Sequence, residues 1–166
     1  MSLARTSISG PASRPRWLRR AAHAQRWRLA SGLVLFAFVL THYLNHALGL
    51  VSVEVMEAAQ AVRRGFWRSP PGTILLFGAA AVHIALAFAR VLRLRTWRLP
   101  LWEAVQIALG FAIPVLLAAH FMVTRGLSSS AGVDDTYTVQ LRLLWPGLAW
   151  DQSILLLVVW LHAMMG

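Results

Sequence analysis

The sequence predicts an all-α integral membrane bundle. Three observations carry that reading. The 166-residue chain is 58% hydrophobic and 13% charged, with a positive mean hydropathy, which is too apolar for an ordinary soluble domain. Apolar runs at residues 29–51, 73–91 and 101–123 each have about the length needed to cross a hydrocarbon core of roughly 30 Å. Histidines occur one per apolar segment, at His42, His83, His120 and His162. An imidazole in hydrocarbon is costly unless something uses it.

The N-terminal stretch 1–15 is rich in Ser, Pro, Arg and Gly and reads as disordered. Residues 1–25 form a basic leader, and Trp17 to Arg28 an interfacial helix running into the first span. The basic stretch is long, the apolar run after it is long enough to span, and no small-residue cleavage pattern follows. These features exclude a cleavable signal peptide. After the first span, Ser52 can cap a short helix with Val55, Met56, Ala59, Val62 and Phe66 on one face. The segment Arg68-Ser-Pro-Pro-Gly72 ends it and turns the chain into the second span. The short connection between residues 93 and 100 makes the second and third spans antiparallel neighbours. Pro114 falls inside the third span, where it is expected to kink the helix. Residues 126–132 read as a Ser/Gly linker, and 137–150 as a surface helix broken at Pro146. From Asp151 the run SILLLVVWLHAMMG begins a fourth span. Its length of about 14 residues is short of the roughly 17–25 a span needs, so the expectation is a fourth helix cut within the sequence. Seven of the eight tryptophans (Trp17, Trp27, Trp67, Trp97, Trp102, Trp145 and Trp150) fall at span ends, as in an interfacial aromatic belt.

The formal charge of +10 follows membrane topology better than nucleic-acid binding. All basic residues are arginine. Seven precede the first span, and Arg90, Arg93, Arg95 and Arg98 follow the second. The other two connections mix Arg63, Arg64, Arg68, Arg125 and Arg142 with Glu54, Glu57, Asp134 and Asp135. The positive-inside rule places the N-terminus and the second–third connection of a multi-pass protein in the cytoplasm. No nucleic-acid partner is expected.

The four histidines suggest chemistry. With no cysteine, the chain cannot use thiolate metal sites, iron–sulfur clusters or covalent haem, so a haem here would be b-type. A single buried histidine is more often a hydrogen-bonded helix contact than a ligand; four in depth-matched pairs favour two bis-histidine haems. His83 and His162 lie 10 and 11 residues into inward-running spans. A weak internal repeat aligns the other two: Arg28 and Gly32 precede His42 by the same 14 and 10 residues that separate Gln106 and Gly110 from His120. The expected axial pairs are His42 with His120 for the outer haem and His83 with His162 for the inner one. In an up-down bundle these are diagonal helices. His46, one turn from His42, is an alternative first-span ligand or, with Asn45, a quinone or propionate contact. Arg125 and Arg90 are candidate propionate contacts, with interfacial anchoring as the plainer role for Arg90. Gly32, Gly78 and Gly110 leave space for a flat macrocycle or, more simply, for close helix packing. No phosphate loop, carboxylate pair or activated serine is present, so no catalytic residue is assigned.

These residues also carry a family likeness. Phe38-x3-His42, AVHIAL around His83, Gln106-x3-Gly110-x9-His120 with Thr124-Arg125, and the WLH at 160–162 resemble the dihaem cytochrome b anchor of succinate dehydrogenase and fumarate reductase over residues 26–166. More narrowly, LTHYLNHALGLVSVEVMEA (40–58) and RLPLWEAVQIALGFAIP (98–114) resemble the N-terminal anchor of bacterial class III adenylate cyclases. That resemblance implies a six-helix, quinone-responsive dihaem anchor in the bacterial inner membrane, a cytoplasmic cyclase domain beyond Gly166, and dimerisation through it. The competing readings are a respiratory electron-transfer anchor subunit and a haem-free structural bundle in contact only with lipid.

Overall fold

The computed structural model describes residues 16–166, with side chains from Ala22 onward. The expected disorder at 1–15 and the Trp17 ring lie outside the described residues. Seven α-helices make up the described chain, and no strand occurs in it: α1 (Arg16–Ala47), α2 (Val53–Trp67), α3 (Pro70–Leu92), α4 (Leu101–Phe121), α5 (Leu127–Ala131), α6 (Tyr137–Leu144) and α7 (Ala149–Met165). The chain is all-α, as the composition predicts.

Three helical stretches are long and apolar enough to cross a membrane: Ala22–Leu50, Pro70–Leu92 and Leu101–Ala131. Helices α6 and α7 qualify only as a pair bent by 107°. Helix α1 starts well before the first apolar run, because Arg, Ala and Gln are good helix formers and neither Pro nor Gly interrupts residues 17–31. The helix expected over residues 17–28 is thus the first part of α1, continuous with the span. Ser69 accepts from Gly72 N–H, and prolines occupy the first helical turn of α3, where their missing N–H groups cost nothing. Pro114 is accommodated within an unbroken α4.

Two sequence expectations change. Residues 126–132 do not form a coil linker. A π-helical turn, Met122–Gly126, leads directly into α5, with the Ser130 hydroxyl donating to the Gly126 carbonyl, and Gly132 ends the run at φ +64°. In addition, α3 is not primarily packed on α4. Helix α1 packs along α3, and α4 along α7, giving two helix pairs. The eight-residue connection 93–100 contains extended backbone and lets α3 and α4 splay, although Arg90 on α3 pairs with Glu103 on α4. Between the two pairs, helix packing runs chiefly through α2 against α6 at one end of the bundle, here the capped end. The opposite end carries the α3–α4 connection.

The cap is polar. Asn45 is buried and donates to the Tyr137 hydroxyl (2.7 Å) and the Met56 carbonyl (3.3 Å). Tyr137 N–H donates to Glu57 (2.6 Å), and Arg64 and Arg68 both pair with Asp135. Ser52 caps α2 as expected, by accepting from Val55 N–H. Of the expected apolar face Met56 is buried, together with Gln60 and Trp67 from outside it, whereas Val55, Val62 and Phe66 are exposed. The polar cap, rather than apolar periodicity, decides which side turns inward. Trp67 accordingly leaves the aromatic belt and packs edge-on against Phe38 at 5.3 Å. Trp27, near the start of the first apolar span, Trp97 in the α3–α4 connection, and Trp102, Trp145 and Trp150 at helix ends are exposed.

Candidate functional site

The bundle interior between the helix pairs is occupied by imidazoles. No residue of α4 is buried, and Gly72 is the buried residue of α3. The packing that would close a four-helix core is therefore absent along most of these spans. Into this slot project His42 and His120, with ring centroids 5.9 Å apart, and His83 and His162, 6.4 Å apart. All four are half-buried, and each pair joins one helix of the first hairpin to one helix of the second.

Three of the four rings are held through Nδ1. His83 Nδ1 lies 3.3 Å from the Arg28 carbonyl and 3.4 Å from the Ser31 hydroxyl. Ser31 is itself buried and donates to the Trp27 and Arg28 carbonyls. His162 Nδ1 lies 3.2 Å from the Gln106 carbonyl, and His120 Nδ1 lies 2.6 Å from Gln152 Oε1. A ring that donates from Nδ1 to a carbonyl oxygen presents Nε2 as a lone pair, the form in which imidazole binds a metal.

The internal repeat acquires a physical meaning here. At about 100° per residue, positions i, i+4 and i+14 of a helix share one face. In α1 these are Arg28, Gly32 and His42; in α4 they are Gln106, Gly110 and His120. The first position offers a carbonyl to the histidine of the following span. The second is glycine because that imidazole lies against it: a Cβ on Gly32 would stand 3.3 Å from His83 Cε1, and one on Gly110 would stand 3.0 Å from His162 Cε1. These two glycines make room for imidazoles, while Gly78 faces open space.

His42 is the least satisfied ring. Its Nδ1 is buried without a partner, and its Nε2 lies 3.2 Å from His46 Nε2. His46 is exposed, stands edge-on to Tyr137 at 5.3 Å, and sits one turn further toward the capped end. Asn45 is committed to Tyr137 and Met56 and is not available beside it. The candidate propionate arginines are likewise engaged. Arg125 donates to Thr73 Oγ1 (3.0 Å) and lies over the Phe77 ring, and Arg90 is paired with Glu103.

The chain matches no known family model, no characterised protein and no solved structure.

The donor set itself can be tested against haem. Metal–imidazole bonds of about 2.0–2.1 Å, with about 1.1 Å from nitrogen to ring centre, place two trans-axial imidazoles with centroids about 6.3 Å apart. The observed 5.9 and 6.4 Å bracket that figure. Among the described residues no group of three or more His, Asp or Glu side chains is arranged to hold an ion. His83 and His162 form a simple pair, whereas His42 stands between His120 and His46. The residues present fit two b haems.

Proposed function

We propose that the chain holds two b-type haems, one between His42 and His120 and one between His83 and His162, and acts as a quinone-responsive redox-sensing anchor for a cytoplasmic adenylate cyclase domain. The pairing of four imidazoles across the slot at the separation of trans-axial ligands carries the haem assignment. Bound haem supplies one-electron exchange. The chain's own residues do the remainder. The Arg28 and Gln106 carbonyls and the Gln152 side chain orient His83, His162 and His120 and hold them as Nδ1–H tautomers. Gly32 and Gly110 let His83 and His162 seat against the neighbouring helix. Apolar helix faces exclude water, and the low dielectric tunes the potential.

His42 is preferred to His46 as the first-span ligand because its ring lies beside that of His120, with centroids 5.9 Å apart. Exposed at the capped end, His46 is better placed to meet a quinone headgroup arriving from the lipid. The distribution of arginines orients the chain as a multi-pass protein of a bacterial inner membrane, N-terminus in the cytoplasm. The cyclase output, with the dimer it implies, rests on the likeness of residues 40–58 and 98–114 to cyclase anchors. Signalling requires that haem redox state shift the balance between two helix arrangements.

The test is a reduced-minus-oxidised spectrum of the purified protein, with pyridine haemochrome quantification. Two haems per chain are expected, falling to one in His83→Ala or His120→Ala. A colourless protein from haem-replete cells would leave a structural bundle. Two haems with copurifying flavin and iron–sulfur subunits, and no quinol-dependent cyclase activity from the whole gene, would replace the sensory reading with a respiratory anchor subunit.

A further inference from the structure

The arginines at the capped end are not equivalent. Arg64 pairs with Glu57 and Asp135, Arg68 pairs with Asp135, and Arg125 reaches Thr73 across the face of Phe77. Arg63 has no ion pair among the described residues. One of its NH2 groups donates to Gln60 Oε1 (3.0 Å), and its Nε is buried without a partner. Burial lowers the Arg63 pKa, and the nearby Tyr137 phenol only partly opposes the effect. A guanidinium nevertheless stays charged at neutral pH. The result is a half-buried cation with an unmet donor, a costly state unless an anion completes it.

Its position indicates where that anion would sit. The Arg63 guanidinium lies 5.7 Å from the centroid of the Phe38 ring, and Phe38 stacks on His42 with centroids 6.0 Å apart and planes inclined by 12°. Arg63 therefore stands at the mouth of the slot where His42 meets His120. The nearby carboxylates are already engaged: Asp135 by two arginines, and Glu57 by Arg64 and Tyr137 N–H.

We propose that Arg63 binds a propionate carboxylate of the haem seated between His42 and His120. The planar fork of a guanidinium matches a carboxylate bidentately and adds charge to the hydrogen bonds. A quinone carbonyl would satisfy the donor but leave the cation uncompensated. The assignment rests on the haem reading above and fixes which way the macrocycle faces: propionates toward α2 and the capped end.

The test uses the full chain in detergent and follows haem transfer to excess apomyoglobin. In Arg63→Gln one of the two haems is expected to leave about tenfold or more faster, the effect of losing a charge-assisted hydrogen bond, with the other unchanged. Arg63→Lys should recover part of the retention. A second arm leaves the protein unaltered and replaces haem with its dimethyl ester, which has no anionic carboxylates. The native chain should retain the ester less well than the free acid at one site, and Arg63→Gln should lose that discrimination. Unchanged release from Arg63→Gln, or equal retention of ester and acid by the native chain, overturns the propionate assignment while leaving two haems in place. A native chain that binds no haem instead ends the haem reading, and this assignment with it.

Discussion

His162 has little freedom to move. Its Nδ1 is tied to the Gln106 carbonyl, and its Cε1 edge lies where a side chain at Gly110 would begin. Gly110→Ala therefore forces either the imidazole or helix α4 to shift, an overpacking cost of about 1–3 kcal/mol. If haem binds as proposed, the expected outcome is selective loss or spectral perturbation of the haem assigned to His83 and His162, with the other retained. Gly78→Ala, which meets nothing within 4 Å, serves as the neutral control. Equal haem spectra for the two variants would show that Gly110 is not there to seat His162. The histidines and the repeat that aligns them were legible in sequence, because helical periodicity carries a face through any number of turns. The partners of their Nδ1 atoms were not. A backbone carbonyl leaves no residue-type signal, and Gln152 looks like any polar residue at the start of an apolar helix. Arg63 was equally hidden. Its lack of an ion pair follows only once Arg64 and Arg68 have captured Asp135.

Helix α2 shows how an element can be located from sequence while only part of its apolar face is buried. Ser52 and the Ser-Pro-Pro-Gly turn mark its two ends in sequence, and both caps form. Its apolar positions Val55, Met56, Ala59, Val62 and Phe66 share one face in sequence, yet Val62 is 77% exposed while Met56 is 4% exposed. Buried Gln60 and the arginines that follow it turn the other face toward α6, where Asp135 draws Arg64 and Arg68 together. The exposed stripe is left to contact the membrane interface, where an amphipathic helix finds its apolar partner in lipid. This predicts that Asp135 is the principal polar tie between the helix pairs at the cap. Asp135→Asn should destabilise the fold by about 2–3 kcal/mol, less than a fully buried pair because both arginines keep partial access to water. The measurement is thermal unfolding in detergent followed by helical circular dichroism. An unchanged midpoint would show that the cap is held by the Asn45–Tyr137–Glu57 contacts alone. The 126–132 stretch was misread for a related reason: serine and glycine weaken a helix locally, but an existing long helix extends through them without a new nucleation step.

At the scale of the molecule, two similar helical hairpins face each other across a slot, tied by α2 and α6 at one end and by Arg90–Glu103 at the other. Apolar run lengths were enough to predict the spans, but not that α3 would pack on α1 rather than α4, which depends on where the imidazoles and glycines fall. The two ends differ in charge once contacts are counted. At the capped end Arg64 and Arg68 are neutralised by Asp135 and Glu57, and Arg63, Arg125 and Arg142 share their connections with Glu54 and Asp134, whereas at the opposite end Arg93, Arg95 and Arg98 follow α3 with Glu103 already taken by Arg90. Uncompensated arginine in a short connection resists translocation, so the α3–α4 connection is expected in the cytoplasm and α5 on the opposite side. The absence of native cysteine makes this directly measurable. Ser129→Cys in α5 and Thr96→Cys in the α3–α4 connection are both exposed positions. In intact spheroplasts a membrane-impermeant maleimide should label Cys at 129 and spare Cys at 96 until the membrane is permeabilised. The reverse pattern would invert the chain. It would also place the His42/His120 pair, with Arg63 beside it, on the cytoplasmic side, and any quinone signal would then have to enter from the opposite face.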